Sequence, residues 1–260
     1  MQQRFLIELG NGYDVILYAF IYRMMITIIG TGHIFRISEQ IAFAIKHIWP
    51  DAVLVELDGA RYKAMTAPPE KTDEAPKIYR KAAEYQERMA SEYGTIPGSE
   101  LITAVNAGEM IGAAVLFIDK NAGDAMERVW NEMPTRERMR YRMSNVKDRF
   151  FSKKETVEET LEEFAEDEEQ YIEDMRKRFP TLVRILIDER NDHMALKIRE
   201  AAETYKNIVV VIGDGHVHAV SKMLEPIETK TIRLRDLMNK ERMDSIRAEL
   251  WTHAGEKDES

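Results

Sequence analysis

Short, wholly apolar runs alternate along this chain with stretches of helical spacing, a pattern that predicts an α/β fold. Met25-Ile-Thr-Ile-Ile29 is a β-branched run halted by Gly30-Thr31-Gly32. Beyond it Ile34, Ile37, Ile41, Ala44, Ile45 and Ile48 recur three and four apart, as on one face of a helix, until Pro50-Asp51 stops it. Ala52-Val-Leu-Val-Glu56 is a second run, closing on a carboxylate. Strand, helix and strand in that order make the two strands parallel, because such crossovers are right-handed. Ile78, Ala82, Tyr85 and Met89 predict a helix over 76–93, and Leu101, Ala104, Val105 and Gly108 predict another that opens at Ser99 and is closed by Gly112. A third run, Ala113 to Ile118, is followed by Asp119, and a fourth, Ile208 to Ile212, by Gly213-Asp214-Gly215-His216. Strands that are apolar throughout, not alternately, are buried on both faces, so the expected architecture is a mostly parallel central sheet with helices on both faces.

Between the third and fourth runs the pattern changes. Residues 126–150 are rich in arginine, with Met139, Met143, Val146 and Phe150 on one stripe, and Thr156 with Glu159 has the form of a capping box opening a long acidic helix. Val157, Leu161, Phe164, Tyr171 and Met175 then follow a heptad-like spacing broken at Glu168. This is a long charged helical arm, inserted at about residues 121–179 of a single α/β domain spanning 25–260. Its charges read either as a solvated surface or as a partner-binding one, for which a second copy of the chain, a homodimer, is the simplest partner. Residues 1–24 form an N-terminal extension to which no function is assigned.

Composition narrows the options. The length of 260 residues suits one domain with an appendage. A formal charge of −9 disfavours a nucleic-acid partner, since a polyanion needs a basic surface. With no cysteine there are no disulfides, thiolate ligands or thiol nucleophiles. The apolar run 15–22 is far short of the ~20 residues a membrane span requires, and Arg4 and Glu8 with no cleavage site argue against a signal peptide, so a cytoplasmic protein is expected.

Ligands of open parallel sheets bind beyond the carboxyl ends of the strands. The residues that follow the strands here are His33, Glu56, Asp119 and His216, in a chain with only 6 histidines. The two histidines end matched corners, Gly30-Thr-Gly-His33 and Gly213-Asp-Gly-His216. Glycine there lets backbone approach a ligand, and the next helix turns its amides toward an anion. Two imidazoles and a carboxylate form the ligand set of many catalytic zinc sites, and oxygen-rich neighbours would also suit manganese or cobalt. The same residues also serve without metal if Glu56 or Glu100 orients a histidine that acts as general base on water. Arg190, in the cluster Asp188-Glu-Arg-Asn191, is either part of a helix start or a fork for a substrate carboxylate or for Glu56, and Arg61 is either structural or the cation that keeps Glu56 ionised.

The run from Gly30-Thr-Gly-His33 through Val55-Glu-Leu-Asp58 and Arg61, then Gly98-Ser-Glu100, Ile118-Asp119, Glu189-Arg-Asn191 with Met194, and Gly213-Asp-Gly-His216, resembles the TraB/PrgY proteins and their Tiki relatives. The resemblance implies an erythromycin-esterase-like, ChaN-like fold in which two Gly-x-x-His motifs and a glutamate build the site. It implies His33, Glu56 and His216 as the divalent-metal set, for Mn, Co or Zn. Glu56, Glu100 and Arg190 then carry catalysis, while Arg61, Asn191 and Asp119 meet a peptide or small-molecule substrate. Tiki relatives imply a metal-dependent peptidase, whereas PrgY-type relatives imply a protein that sequesters a peptide pheromone without cleaving it. Gly32, Asp214, Lys120 and His218-Ala219 depart from the family's pattern.

Overall fold

The computed structural model describes residues 2–9, 13–20, 24–32, 35–67, 96–143 and 168–258. His33, the helix expected over 76–93, the capping box at 156–159 and much of the arm therefore lie outside the described residues. Two strands, β1 (Gln2–Leu9) and β2 (Tyr13–Phe20), pair as an antiparallel hairpin.

The sheet comprises β3 (Met25–Thr31), β4 (Ala52–Val55), β5 (Ala114–Phe117), β6 (Asn207–Gly213) and β7 (Thr229–Ile232), all parallel, in the order β5-β4-β6-β3-β7. Central strands β3, β4 and β6 are buried along nearly their whole length, which is why they carry apolar side chains on both faces. The fifth strand, β7, is absent from the expectation. Its sequence, Thr-Lys-Thr-Ile, is that of an edge strand with Lys230 and Thr231 exposed, so it offers no apolar run.

Each face of the sheet has its own core. On one, Ile29, Val53, Val55, Val209 and Val211 pack against α1 (Ser38–Ile48) and α3 (Ser99–Met110). That core is completed by α10 (Leu234–Met238) and α11 (Lys240–Asp258). On the other, Ile28, Leu54, Val210 and Ile212 pack against Met194 and Ile198 of α8 (Glu189–Ala202) and Val217 and Val220 of α9 (Asp214–Met223). Burying each such aliphatic side chain is worth roughly 1.5–3 kcal/mol. A short helix, α2 (Gly59–Thr66), follows β4 and is capped by Asp58, whose Oδ1 accepts from Ala60 and Arg61 amides at 2.9 and 3.0 Å.

The described part of the arm is broken into pieces, α4 (Ala122–Glu132), α5 (Thr135–Met143) and α6 (Glu168–Arg178). The basic helical stretch expected over 126–150 divides at Met133-Pro134, where proline cannot continue a helix, and its stripe from Met139 onward runs beyond the described residues. A small third core of Ala125, Val129, Met133 and Ile185 ties the arm to the chain leading into α8. That lead-in comprises α7 (Pro180–Val183) and one turn of π-helix, Arg184–Asp188.

Candidate functional site

The helix after β3 covers one face of the sheet and the helix after β6 covers the other, so the switch point at which open parallel sheets form their ligand crevice falls at the carboxyl edge between these neighbouring strands. Thr31 stands in register with Gly213, which makes the two glycine corners neighbours in space. They also touch through side chain. A Cβ on Gly30 would lie 2.0 Å from Asp214 Oδ1, so only glycine fits beneath that carboxylate. Asp214 is itself fixed by Arg233, at 2.8 and 2.9 Å, and by the amide of Leu234 at 2.8 Å.

Glu56 leaves β4 directly into the crevice and is only 2% exposed. Its Oε2 accepts from the backbone amide of Gly213, the residue preceding α9, and its Oε1 from Arg190 Nη2. The anion expected at this helix amino terminus is thus a side chain of the protein. Arg190 also forms a fork with Asp119, Nε to Oδ1 and Nη2 to Oδ2, both at 2.8 Å, and donates from Nη1 to the Leu186 carbonyl at 3.3 Å. Burial works against the charge on Arg190, but Glu56 and Asp119 outweigh it and raise its pKa above the ordinary arginine value. In return Arg190 compensates two carboxylates whose side chains are 3% and 0% exposed, a placement that would otherwise cost several kcal/mol per ion.

His216 lies in the first turn of α9, with Nδ1 2.6 Å from Asn191 Oδ1. An amide oxygen only accepts, so Nδ1 donates, which in a neutral ring puts the lone pair on Nε2. Nε2 sits 3.8 Å from Glu56 Oε1 and 3.4 Å from Arg190 Nη1. Arg190 and Asn191 reach these partners from consecutive positions of α8, immediately after the π turn, an irregularity often found beside functional sites.

Arg61 approaches Asp119 at 3.9 Å from α2. Glu100 is fully buried in the first turn of α3, whose preceding Gly98 abuts Met65 of α2. Asp58 binds the loops together, its Oδ2 accepting from the Ala122 amide at 3.4 Å. The structure therefore brings together Glu56, Asp119, Arg190, Asn191 and His216, with Arg61 at the margin, while His33 lies outside the described residues. Asn191 and Asp119, expected to face substrate, are engaged from within the protein by His216 and Arg190. The Asn191–His216 contact carries no sequence signal, because the two residues stand 25 positions apart in different helices. His218 is exposed, and His47 is held by the Phe43 carbonyl within α1.

Among the described residues no group of three or more His, Asp or Glu side chains is placed to hold a metal ion. The approach of His216 Nε2 to Glu56 Oε1 would suit two donors to one cation, but the Arg190 guanidinium already contacts both. Arg190 already supplies positive charge and hydrogen bonds to both carboxylates, so a dication would have to displace it. The described residues thus fit an arginine-centred cluster better than a divalent site.

No helix among the described residues is long and apolar enough to cross a membrane. No solved structure matches the chain. It is 25% identical over 238 residues to an uncharacterized protein, MJ1365, of Methanocaldococcus jannaschii. The match covers 85% of this chain but spans 59% of that relative's length. The family model for TraB/PrgY/gumN matches residues 23–235, which takes in the whole parallel sheet and every residue of the crevice. The chain belongs to the TraB/PrgY/gumN family.

Proposed function

We propose that this chain is a hydrolase of amide bonds in which His216 is the general base. The observation that carries this reading is the fixed imidazole, with Nδ1 held by Asn191 and Nε2 turned toward Glu56 and Arg190. Water that takes the place of Arg190 Nη1 at Nε2 would lose its proton to that lone pair and attack the carbonyl carbon. The Arg190 guanidinium, held on Asp119, would stabilise the oxyanion that develops, and Glu56 would stabilise the imidazolium. The same proton then passes from Nε2 to the leaving amine, which restores the neutral ring. A second reading assigns a divalent ion, Mn, Co or Zn, to His33, Glu56 and His216. It is favoured by the 3.8 Å approach of Nε2 to Oε1 and requires Arg190 to release Glu56.

The test is a peptide-mixture cleavage assay read by mass spectrometry, with and without chelator, alongside metal analysis of the purified protein. Cleavage that survives the chelator and falls at least ~100-fold in His216→Ala and Glu56→Gln is the expected result. Stoichiometric metal with chelator-sensitive cleavage would replace it by the second reading. Binding of peptides with no cleavage at all would leave a sequestering protein.

A further inference from the structure

The margin of the crevice carries a second guanidinium whose surroundings differ from those of Arg190. Arg61 projects from α2 and meets Asp119 only at 3.9 Å, while both oxygens of that carboxylate are already taken by Arg190 at 2.8 Å. Its side chain is 22% exposed, and among the described residues no hydrogen bond is formed by its guanidinium. A guanidinium backed by a buried carboxylate is oriented without being consumed, and its outward N–H groups match a carboxylate in a fork.

Next to it stands an aromatic wall. Tyr62, the following residue of α2, packs its ring 4.9 Å from that of Phe117 at the end of β5. Phe117 is 37% exposed, although it is a large apolar side chain at the carboxyl edge where the candidate site lies. Met65, one turn along α2, is half-buried against the same core.

We propose that Arg61, Tyr62 and Phe117 form a subsite for a free carboxyl terminus that bears an apolar side chain, so that the crevice takes the end of a peptide and not its interior. The subsite rests on the hydrolase reading of the crevice and names its substrate class. Arg61 receives the carboxylate, and the rings of Tyr62 and Phe117 receive the terminal side chain. Arg61 lies beyond Asp119 from Arg190, so a carboxylate seated on it directs the preceding peptide bond toward Arg190 and His216.

The test uses the full chain and four probes, N-acetylphenylalanine, its amide, N-acetylglutamyl-phenylalaninamide and N-acetylalanine, with affinities from calorimetry. The acid is expected to bind at least ~10-fold more tightly than either blocked probe, as a charge-assisted fork is about twice as strong as a neutral hydrogen bond. Arg61→Gln is expected to abolish that preference, and Arg61→Lys to restore part of it. Phe117→Ala is expected to weaken N-acetylphenylalanine but not N-acetylalanine. Arg61 and Phe117 are partly exposed, so these variants fold. Equal affinity for acid and amide overturns the proposal, as does an acid preference that persists in Arg61→Gln. Equal affinity for the glutamyl probe overturns the choice of terminus in favour of an acidic side chain. Acid-selective, Arg61-dependent binding without cleavage of any peptide would keep the subsite and remove the hydrolase. Cleavage of amidated peptides as fast as free ones would keep the hydrolase and remove the subsite.

Discussion

Two arginine–carboxylate networks lie one residue apart in the chain and in different dielectric worlds. In the crevice, Arg190 joins Glu56 and Asp119, whose side chains are 3% and 0% exposed. Where the arm meets α8, Arg128 and Arg184 converge on Glu189 and Glu132 with comparable hydrogen bonds, but these side chains are 23–44% exposed. Water competes for every partner in the second network and for almost none in the first. The same chemistry therefore makes an obligatory cluster in one place and an adjustable brace in the other.

The sharpest way to break this comparison is Arg190→Met. It removes the cation and leaves two buried carboxylates facing each other, so a loss of about 3–5 kcal/mol in unfolding free energy is expected near neutral pH. The loss should shrink as the pH falls, because protonating either carboxylate relieves the uncompensated charge. Denaturant titrations at two pH values would measure this. Equal destabilisation at both would mean that packing, not charge, is what Arg190 supplies.

Gly30→Ala probes the corner on which the buried network depends. Its Cβ would fall 2.0 Å from Asp214 Oδ1 and push that carboxylate away from Arg233 and the Leu234 amide. The cost of such overpacking is about 1–3 kcal/mol. Because Gly213, which donates to Glu56, adjoins Asp214, the His216 ring signals should also shift in an NMR spectrum. A stable variant with unchanged imidazole signals would show that the corners are not mechanically joined.

This contrast also explains what could be seen in the sequence. Strands β3, β4 and β6 are legible because burial on both faces leaves wholly apolar runs, and the carboxylate of Glu56 is legible because it ends one of them. A right-handed parallel sheet then puts the ends of its strands at one edge. The fork of Arg190 with Asp119 joins residues 71 positions apart, so the sequence can name both groups without showing that they neutralise each other. The metal expectation rests on donor types and on the family resemblance, and neither registers the guanidinium in contact with two of the donors. Edge strand β7 and the π turn escape for another reason, since neither has a hydrophobic period of its own.

The smallest effect belongs to the arm. Arg128 and Arg184 hold the Glu189 carboxyl below the ordinary glutamate range, the hydrogen bond from Arg128 being the main cause. A carboxylate with a depressed folded pKa adds stability above its unfolded pKa and loses it as the pH falls through the folded value. Glu189→Gln is thus expected to differ slightly from the parent near neutral pH and to converge with it in acid. The difference should also disappear in about 1 M salt, where screening acts within about 3 Å. Arg190→Met, buried next door, should keep its defect at that salt concentration. If the two variants respond to salt alike, exposure does not separate the two networks, and the brace on the arm is as much a part of the crevice as the cluster inside it.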